Sequence, residues 1–530
     1  MVATRTSSPA GSACVLAVDA GTSSVRALAV DEQATVVDIA RRELTQHFPR
    51  PGWVEHDPAE IWALVVETLA EVADRQHRAG RSVAAVGVTN QRETVVAWDR
   101  RTGQPLHRAI VWQDRRTASR CDALAERGAL DLVRHQSGLV LDPYFSATKM
   151  GWLLAEGMVP VTGDLVLATV DAWVVWNLTG GAGRSPTSAA GTGQGTLATD
   201  VTNASRTSLY DIRRQQWSAE LADLFDVPLG ALPEVHPSCG RLGRCHGPVV
   251  AASAALRGVP VSGVAGDQQA ALFGQACFDP GQAKVTYGTG SFVLANAGKV
   301  CPPPADGLLT TVAWDLGEHA APGTPPGVTY ALEGAVLAAG AAVQWLRDGL
   351  GLIDAAGEIE ALARSVADSG GAAIVPAFAG LGSPWWDPYA RGTVVGITRG
   401  TTRAHLARAV VEAMAMQVRD VADAVTSALG HRLLCLRADG GAAVMRLLLQ
   451  CQADQLQIPV SRSSCTETTA LGAAMLAGLA EGVWGSLDAL AQHWWADAEH
   501  CPQVPADDAD AAHRRWLLAV DRARGWAAPG

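Results

Sequence analysis

Apolar residues recur along this chain in two registers. Between Asp57 and Ala73 they fall at Ile61, Leu64, Val65, Leu69 and Val72, a spacing that buries one face of a helix. Asp57, Pro58 and Glu60 fit the N-cap, first and third positions of that helix. Elsewhere the apolar residues form short β-branched runs broken by glycine. Val15 to Asp31 (VLAVDAGTSSVRALAVD) reads as strand, tight turn, strand, with Gly21, Thr22, Ser23 and Ser24 at the turn. A similar unit recurs at Ala283 to Asn296 (AKVTYGTGSFVLAN), around Gly288, Thr289 and Gly290. Two such units half a chain apart predict a duplicated architecture. VAAVGVTN is a further strand, and VSGVAGDQQAALFGQ (Val261 to Gln275) is a strand running into a helix. LCLRADGG is a strand ending in paired glycine. A long helix is predicted over Arg403 to Leu429, and a peripheral one over about Asp507 to Trp526. The small residues of IPVSRSSCTETTALGAAMLAGLA predict tight helix packing that closes the second core. Gly180 to Thr196 has almost no apolar anchor and reads as a flexible surface loop. Residues 1–13 form a polar, loose extension without a signal-peptide core.

Composition narrows the classes. A chain of 530 residues with 48% hydrophobic content supports two large domains or three small ones. A net charge of −11 argues against nucleic-acid binding and offers no basic patch to a membrane. No apolar run is long enough for membrane insertion. The ten cysteines are scattered without C-x-x-C pairs, which predicts reduced thiols in a cytoplasmic protein and no structural zinc.

The candidate chemistry sits where strands end. Asp267 falls at a strand's end and a helix's start, where open α/β sheets place ligands, although Asp is also a favoured N-cap. Arg92 and Glu93 follow another buried strand. Such a pair is commonly a solvated turn, and its other use is to hold a polyol, Arg donating to hydroxyls and Glu accepting from them. Trp112 and, in a later loop, Tyr144 present aromatic faces. The chain has no G-x-x-x-x-G-K-[ST], so a nucleotide would be held by turns, hydroxyls, Mg²⁺ and Arg26. Two Gly-Thr turns can clasp a polyphosphate through backbone N–H groups, though either alone is an ordinary hairpin.

Ten motifs run in order over nearly the whole chain: PGWVEHDP, TNQRET, AIVWQDRRT, DPYFSATK, TNASRT, AGDQQAALFGQ, YGTGSF, LEGAV, GSPWWDPYARG and ETTALGAA. On these the chain resembles the glycerol kinases of the FGGY carbohydrate kinase family. The resemblance implies an α/β fold of two actin-like, ribonuclease H-like ATPase domains (14–275 and 276–530) flanking a catalytic cleft. It implies ATP and Mg²⁺, with Asp19 and Asp267 toward the metal. Glycerol would lie among Arg92, Glu93, Trp112, Tyr144, Asp267, Gln268 and Phe292, with Asp267 as catalytic base. Thr22, Ser23, Ser24, Arg26 and Thr289 would meet phosphate, and Gly340, Gln344, Gly441 and Met445 the adenosine. A homodimer or homotetramer is expected. The chain departs from the family at Ala20, where glutamine is usual, at Met445, often asparagine, and in the longer 180–196 loop. A kinase for xylulose or gluconate is the alternative enzyme, and a polyol or nucleotide sensor the alternative without catalysis.

Overall fold

The computed structural model describes residues 13–182, 195–319 and 327–528. The extension at 1–12 and the core of the glycine-rich loop at 183–194 lie outside the described residues. The chain divides into two compact units. The first comprises Met1–Ala276, Thr311–Tyr330 and Glu467–Trp494, and the second Cys277–Thr310, Ala331–Thr466 and Trp495–Gly530.

Among the described residues, six strands form the main sheet of the first unit. Their order is Cys239–Arg244, Pro260–Gly266, Ser82–Asn90, Ala13–Ala20, Ser24–Asp31, Val36–Glu43. The Ala13–Ala20 and Ser24–Asp31 strands make the predicted hairpin, with Asp19 opposite Arg26. Pro260–Gly266 and Ala13–Ala20 both run parallel to Ser82–Asn90, so Gly266, Asn90 and Ala20 end side by side. The Pro58–Arg78 helix covers one face, burying Ile61, Val65, Leu69 and Val72 as its periodicity predicts. Asp57 caps it by accepting from Ala59 N at 2.8 Å. Glu60 does not close the cap but accepts from Thr45 Oγ1 at 2.8 Å.

The Thr468–Ala480 helix corrects one expectation. Its small residues do not close the second core: Glu467–Trp494 belongs to the first unit. Glycine explains the placement. A Cβ on Gly87 would lie 2.2 Å from Ala473 O, and one on Gly263 would lie 2.4 Å from Ala477 N. Two glycines on adjacent strands thus form a notch into which the helix backbone settles. The Asp267–Gly274 helix crosses it as closely, since a Cβ on Gly472 would lie 1.8 Å from Ala270 O.

The second unit repeats the plan. Gln282–Tyr287 and Ser291–Gly298 form a hairpin, and Cys435–Asp439 runs parallel to its first strand. They lie within a seven-stranded sheet. The Arg403–Leu429 helix has the predicted bounds and ends at Gly430, whose φ of 74° is the left-handed stop glycine adopts readily. The last helix, Ala506–Ala523, is less peripheral than predicted. Trp516 and Val520 are buried against Val375, Ala413 and Met416. Among the described residues no helix is long and apolar enough to cross a membrane.

Candidate functional site

The parallel strands of the first unit deliver three groups to one edge. Asp19 is the penultimate residue of its strand, Arg92 and Glu93 lie just beyond Asn90, and Asp267 opens the helix after Gly266. Arg92 is buried, and its Nε lies 3.1 Å from Asp267 Oδ1 and 3.8 Å from Glu93 Oε1. Its other nitrogens reach Gln269 Oε1 and Tyr144 Oη, each at 3.3 Å. A Cβ on Gly266 would meet Arg92 Cγ at 2.7 Å, so that glycine is what lets the arginine lie across the strand end. The Arg92–Glu93 pair is therefore not a solvated turn. Glu93 is buried at a φ of 60°, a left-handed backbone that costs a branched or long side chain energy and concentrates at functional positions. Asp267 itself is about one-third exposed.

Aromatic residues wall the same place. Trp112 and Tyr144 meet edge to face with ring centroids 5.6 Å apart. Trp112 Nε1 donates to Thr22 Oγ1 at 2.9 Å, tying this wall to the first Gly-Thr turn. In that turn Gly21 N donates to Ser24 O at 3.1 Å; Ser23 is exposed and Ser24 buried. Arg26 Nε lies 3.1 Å from Asp19 Oδ2, and its Nη1 is 2.5 Å from Glu467 Oε2. Burial pushes the Asp19 carboxyl up to about 6, Arg26 opposes the rise, and the charge of Asp267 adds to it. Such a carboxylate is one that a cation would readily recharge.

The second unit holds the other residues singled out in the sequence. The Gly288–Gly290 turn closes by a bond from Gly288 N to Gly290 O at 2.8 Å. Gly340 N donates to Gly288 O and Ala341 N to Thr289 O, both at 3.0 Å, so the turn seats on the Gly340–Gln344 helix start. Cβ atoms on Gly290 and Gly340 would meet backbone oxygen at 2.4 and 2.6 Å. Thr289, Gln344 and Gly441 are exposed, Phe292 is half-buried, and Met445 is buried.

Sequence reading missed Glu467, the second carboxylate on Arg26, and Arg206, which donates from Nε to Glu93 Oε1 at 2.6 Å. Both lie in motifs noted above, ETTALGAA and TNASRT. The available signal for Arg206 was an arginine inside a stretch of small residues that folds as buried structure.

Two sheets each carrying a Gly-Thr hairpin, one of them with a carboxylate–guanidinium cluster at its edge, fit a phosphotransferase of the sugar-kinase class. The description of the FGGY family of carbohydrate kinases, N-terminal domain, matches residues 14–274, and that of its C-terminal domain matches residues 283–481. The chain belongs to the FGGY family of carbohydrate kinases. It is 49% identical over 519 residues to a protein named glycerol kinase from Bordetella parapertussis, covering 97% of this chain and 98% of that one. It is 48% identical over 518 residues to a glycerol kinase from Halorhodospira halophila, covering 97% of each. Among solved structures it is similar to Plasmodium falciparum glycerol kinase with ADP, at a TM-score of 0.88 and 33% identity over 97% of this chain and 98% of that one. A xylulose kinase from Lactobacillus acidophilus shares the fold at a TM-score of 0.83 and 20% identity, over 96% of this chain and 97% of that one.

Proposed function

We propose that this protein transfers the γ-phosphoryl group of ATP to a terminal hydroxyl of glycerol, giving sn-glycerol 3-phosphate and ADP. The observation that carries the reading is the Arg92–Asp267 contact at 3.1 Å with buried Glu93 beside it. This places one donor between two acceptors, the pattern a small polyol needs. The names of its full-length relatives support glycerol over xylulose or gluconate.

Phosphoryl transfer depends mainly on positioning and charge neutralisation. Asp267 accepts the hydrogen bond of the attacking hydroxyl, aims its oxygen at the γ-phosphorus, and takes the proton as the new P–O bond forms. Arg92 donates to the remaining hydroxyls, Glu93 accepts from them, and Gln268 offers an amide. Trp112 and Tyr144 wall the carbon chain, and Phe292 is assigned to it by the family resemblance. Thr22, Ser23, Ser24, Arg26 and Thr289 are assigned to phosphate, and Gly340, Gln344, Gly441 and Met445 to adenosine. Arg26 must then exchange a carboxylate partner for a phosphate oxygen.

Among the described residues no group of three or more His, Cys, Asp or Glu could hold a metal. The carboxylates at this strand edge, buried Asp19 and one-third-exposed Asp267, are hard oxygen donors of the kind Mg²⁺ takes, one or two carboxylates alongside waters and substrate phosphates. Asp19 and Asp267 would hold it, and when bound it supplies charge neutralisation on the phosphates. The cytoplasm is our expectation for its location, as scattered cysteines without C-x-x-C pairs suggest. A homodimer or homotetramer is our expectation for the assembly.

The test is a coupled ADP-release assay with glycerol, propane-1,3-diol, xylulose and gluconate. Glycerol should be used most efficiently. Loss of the middle hydroxyl should lower kcat/KM at least roughly tenfold, since each buried polar group left unpaired costs about 1–3 kcal/mol. Higher kcat/KM for xylulose or gluconate would refute the assignment.

A further inference from the structure

We propose that Arg206 is a positioning residue for the acceptor substrate: it holds Glu93 in the orientation that binds a substrate hydroxyl. This rests on the glycerol reading above and adds a residue to it.

Arg206 is fully buried, and so is the carboxylate it meets. Its Nε donates to Glu93 Oε1 at 2.6 Å, while its guanidinium lies 5.5 Å from the Tyr144 ring and 5.3 Å from the Phe145 ring. A buried carboxylate without a cation is costly, and here the cation comes from a separate segment of chain. Arg92 Nε is 3.8 Å from Glu93 Oε1 and 3.1 Å from Asp267 Oδ1. Arg206 thus leaves Arg92 oriented toward Asp267. The Glu93 backbone, at its left-handed φ of 60°, is clamped from the other side by Ser146 Oγ, which donates to Glu93 O at 3.1 Å.

The segment carrying Arg206 grips both strands that deliver the site. Asp200 caps the Val201–Ala204 turn, accepting from Asn203 N at 3.0 Å and from Ser238 Oγ at 2.7 Å. Thr202 Oγ1 accepts from Gly266 N at 2.9 Å, one residue before Asp267. Asn203 exchanges amide bonds with Asn90 at 3.0 and 3.2 Å, two residues before Arg92. One short turn therefore fixes the strand end behind the base, the strand end behind the donor, and the carboxylate between them. The expected consequence is selective. Freeing Glu93 weakens glycerol binding and leaves the nucleotide alone, because the Gly-Thr turns lie on other elements.

The experiment is a double-mutant cycle on the full chain with Arg206→Gln, Glu93→Gln and both. Arg206→Gln should raise KM for glycerol roughly 10- to 100-fold, within the range for coupled neighbours, while KM for ATP stays within about twofold. The double variant should match Glu93→Gln within about twofold, because Arg206 acts through Glu93. Arg206→Lys, which keeps the charge, should recover part of the loss, and it takes the place of Arg206→Gln in the cycle should that variant be insoluble. A glycerol KM unchanged by the substitution, or effects of the two changes that multiply, would overturn the proposal while leaving the glycerol reading intact. Wild-type protein inactive on glycerol would overturn that reading and this proposal together.

Discussion

Asp19 offers a test in which stability and activity move apart. It is 4% exposed, and burial holds its carboxyl at about 6 against a model-peptide value of 3.8. Because the folded value lies above the unfolded one, the folded state binds the proton more tightly. Stability contributed by protonated Asp19 is present below pH 3.8 and is lost as pH rises to about 6. At about 1.36 kcal/mol per pH unit, the ionised form costs the free protein about 3 kcal/mol. Asp19→Asn keeps the shape and cannot ionise. The variant should therefore gain on the wild type by about 3 kcal/mol between pH 4 and pH 7, and lose kinase activity. Urea unfolding of both proteins at several pH values, without nucleotide, measures the difference; a difference independent of pH would refute the argument. Mg²⁺ with an ATP analogue should narrow the gap at pH 7 by compensating the charge that the apo fold leaves desolvated.

Two further predictions rest on packing and on the aromatic wall. Gly472→Ala puts a Cβ 1.8 Å from Ala270 O, backbone that cannot swing aside, so it should cost about 3 kcal/mol or more, visible as a markedly lower Tm. Trp112→Phe keeps an aromatic face of smaller area and removes the 2.9 Å bond to Thr22, and should raise KM for glycerol by roughly two- to tenfold with the fold intact, as steady-state kinetics and circular dichroism would check.

Much of the architecture was legible in local pattern. Helical spacing over Ile61 to Val72 and the Gly-Thr hairpins predicted elements the structure contains, because each signal is contained within a few residues. Asp267 and Arg92 were visible as polar residues ending apolar strands. Their approach to 3.1 Å was not, because it depends on the parallel register that sets Gly266 beside Asn90. The same limit hid Arg206, 113 residues from the carboxylate it holds. It also hid the destination of the Thr468–Ala480 helix: small residues announce close packing but not the partner, and here the partner is a glycine notch at Gly87 and Gly263.

The central claim is that Asp267 orients and deprotonates the attacking hydroxyl. Asp267→Asn preserves the shape of the side chain and removes the base. Comparing kcat for glycerol phosphorylation in the two proteins, with glycerol affinity measured separately, tests the claim most directly. The account predicts that kcat falls by roughly 10²–10⁴-fold while glycerol still binds. Turnover close to that of the wild type would contradict it.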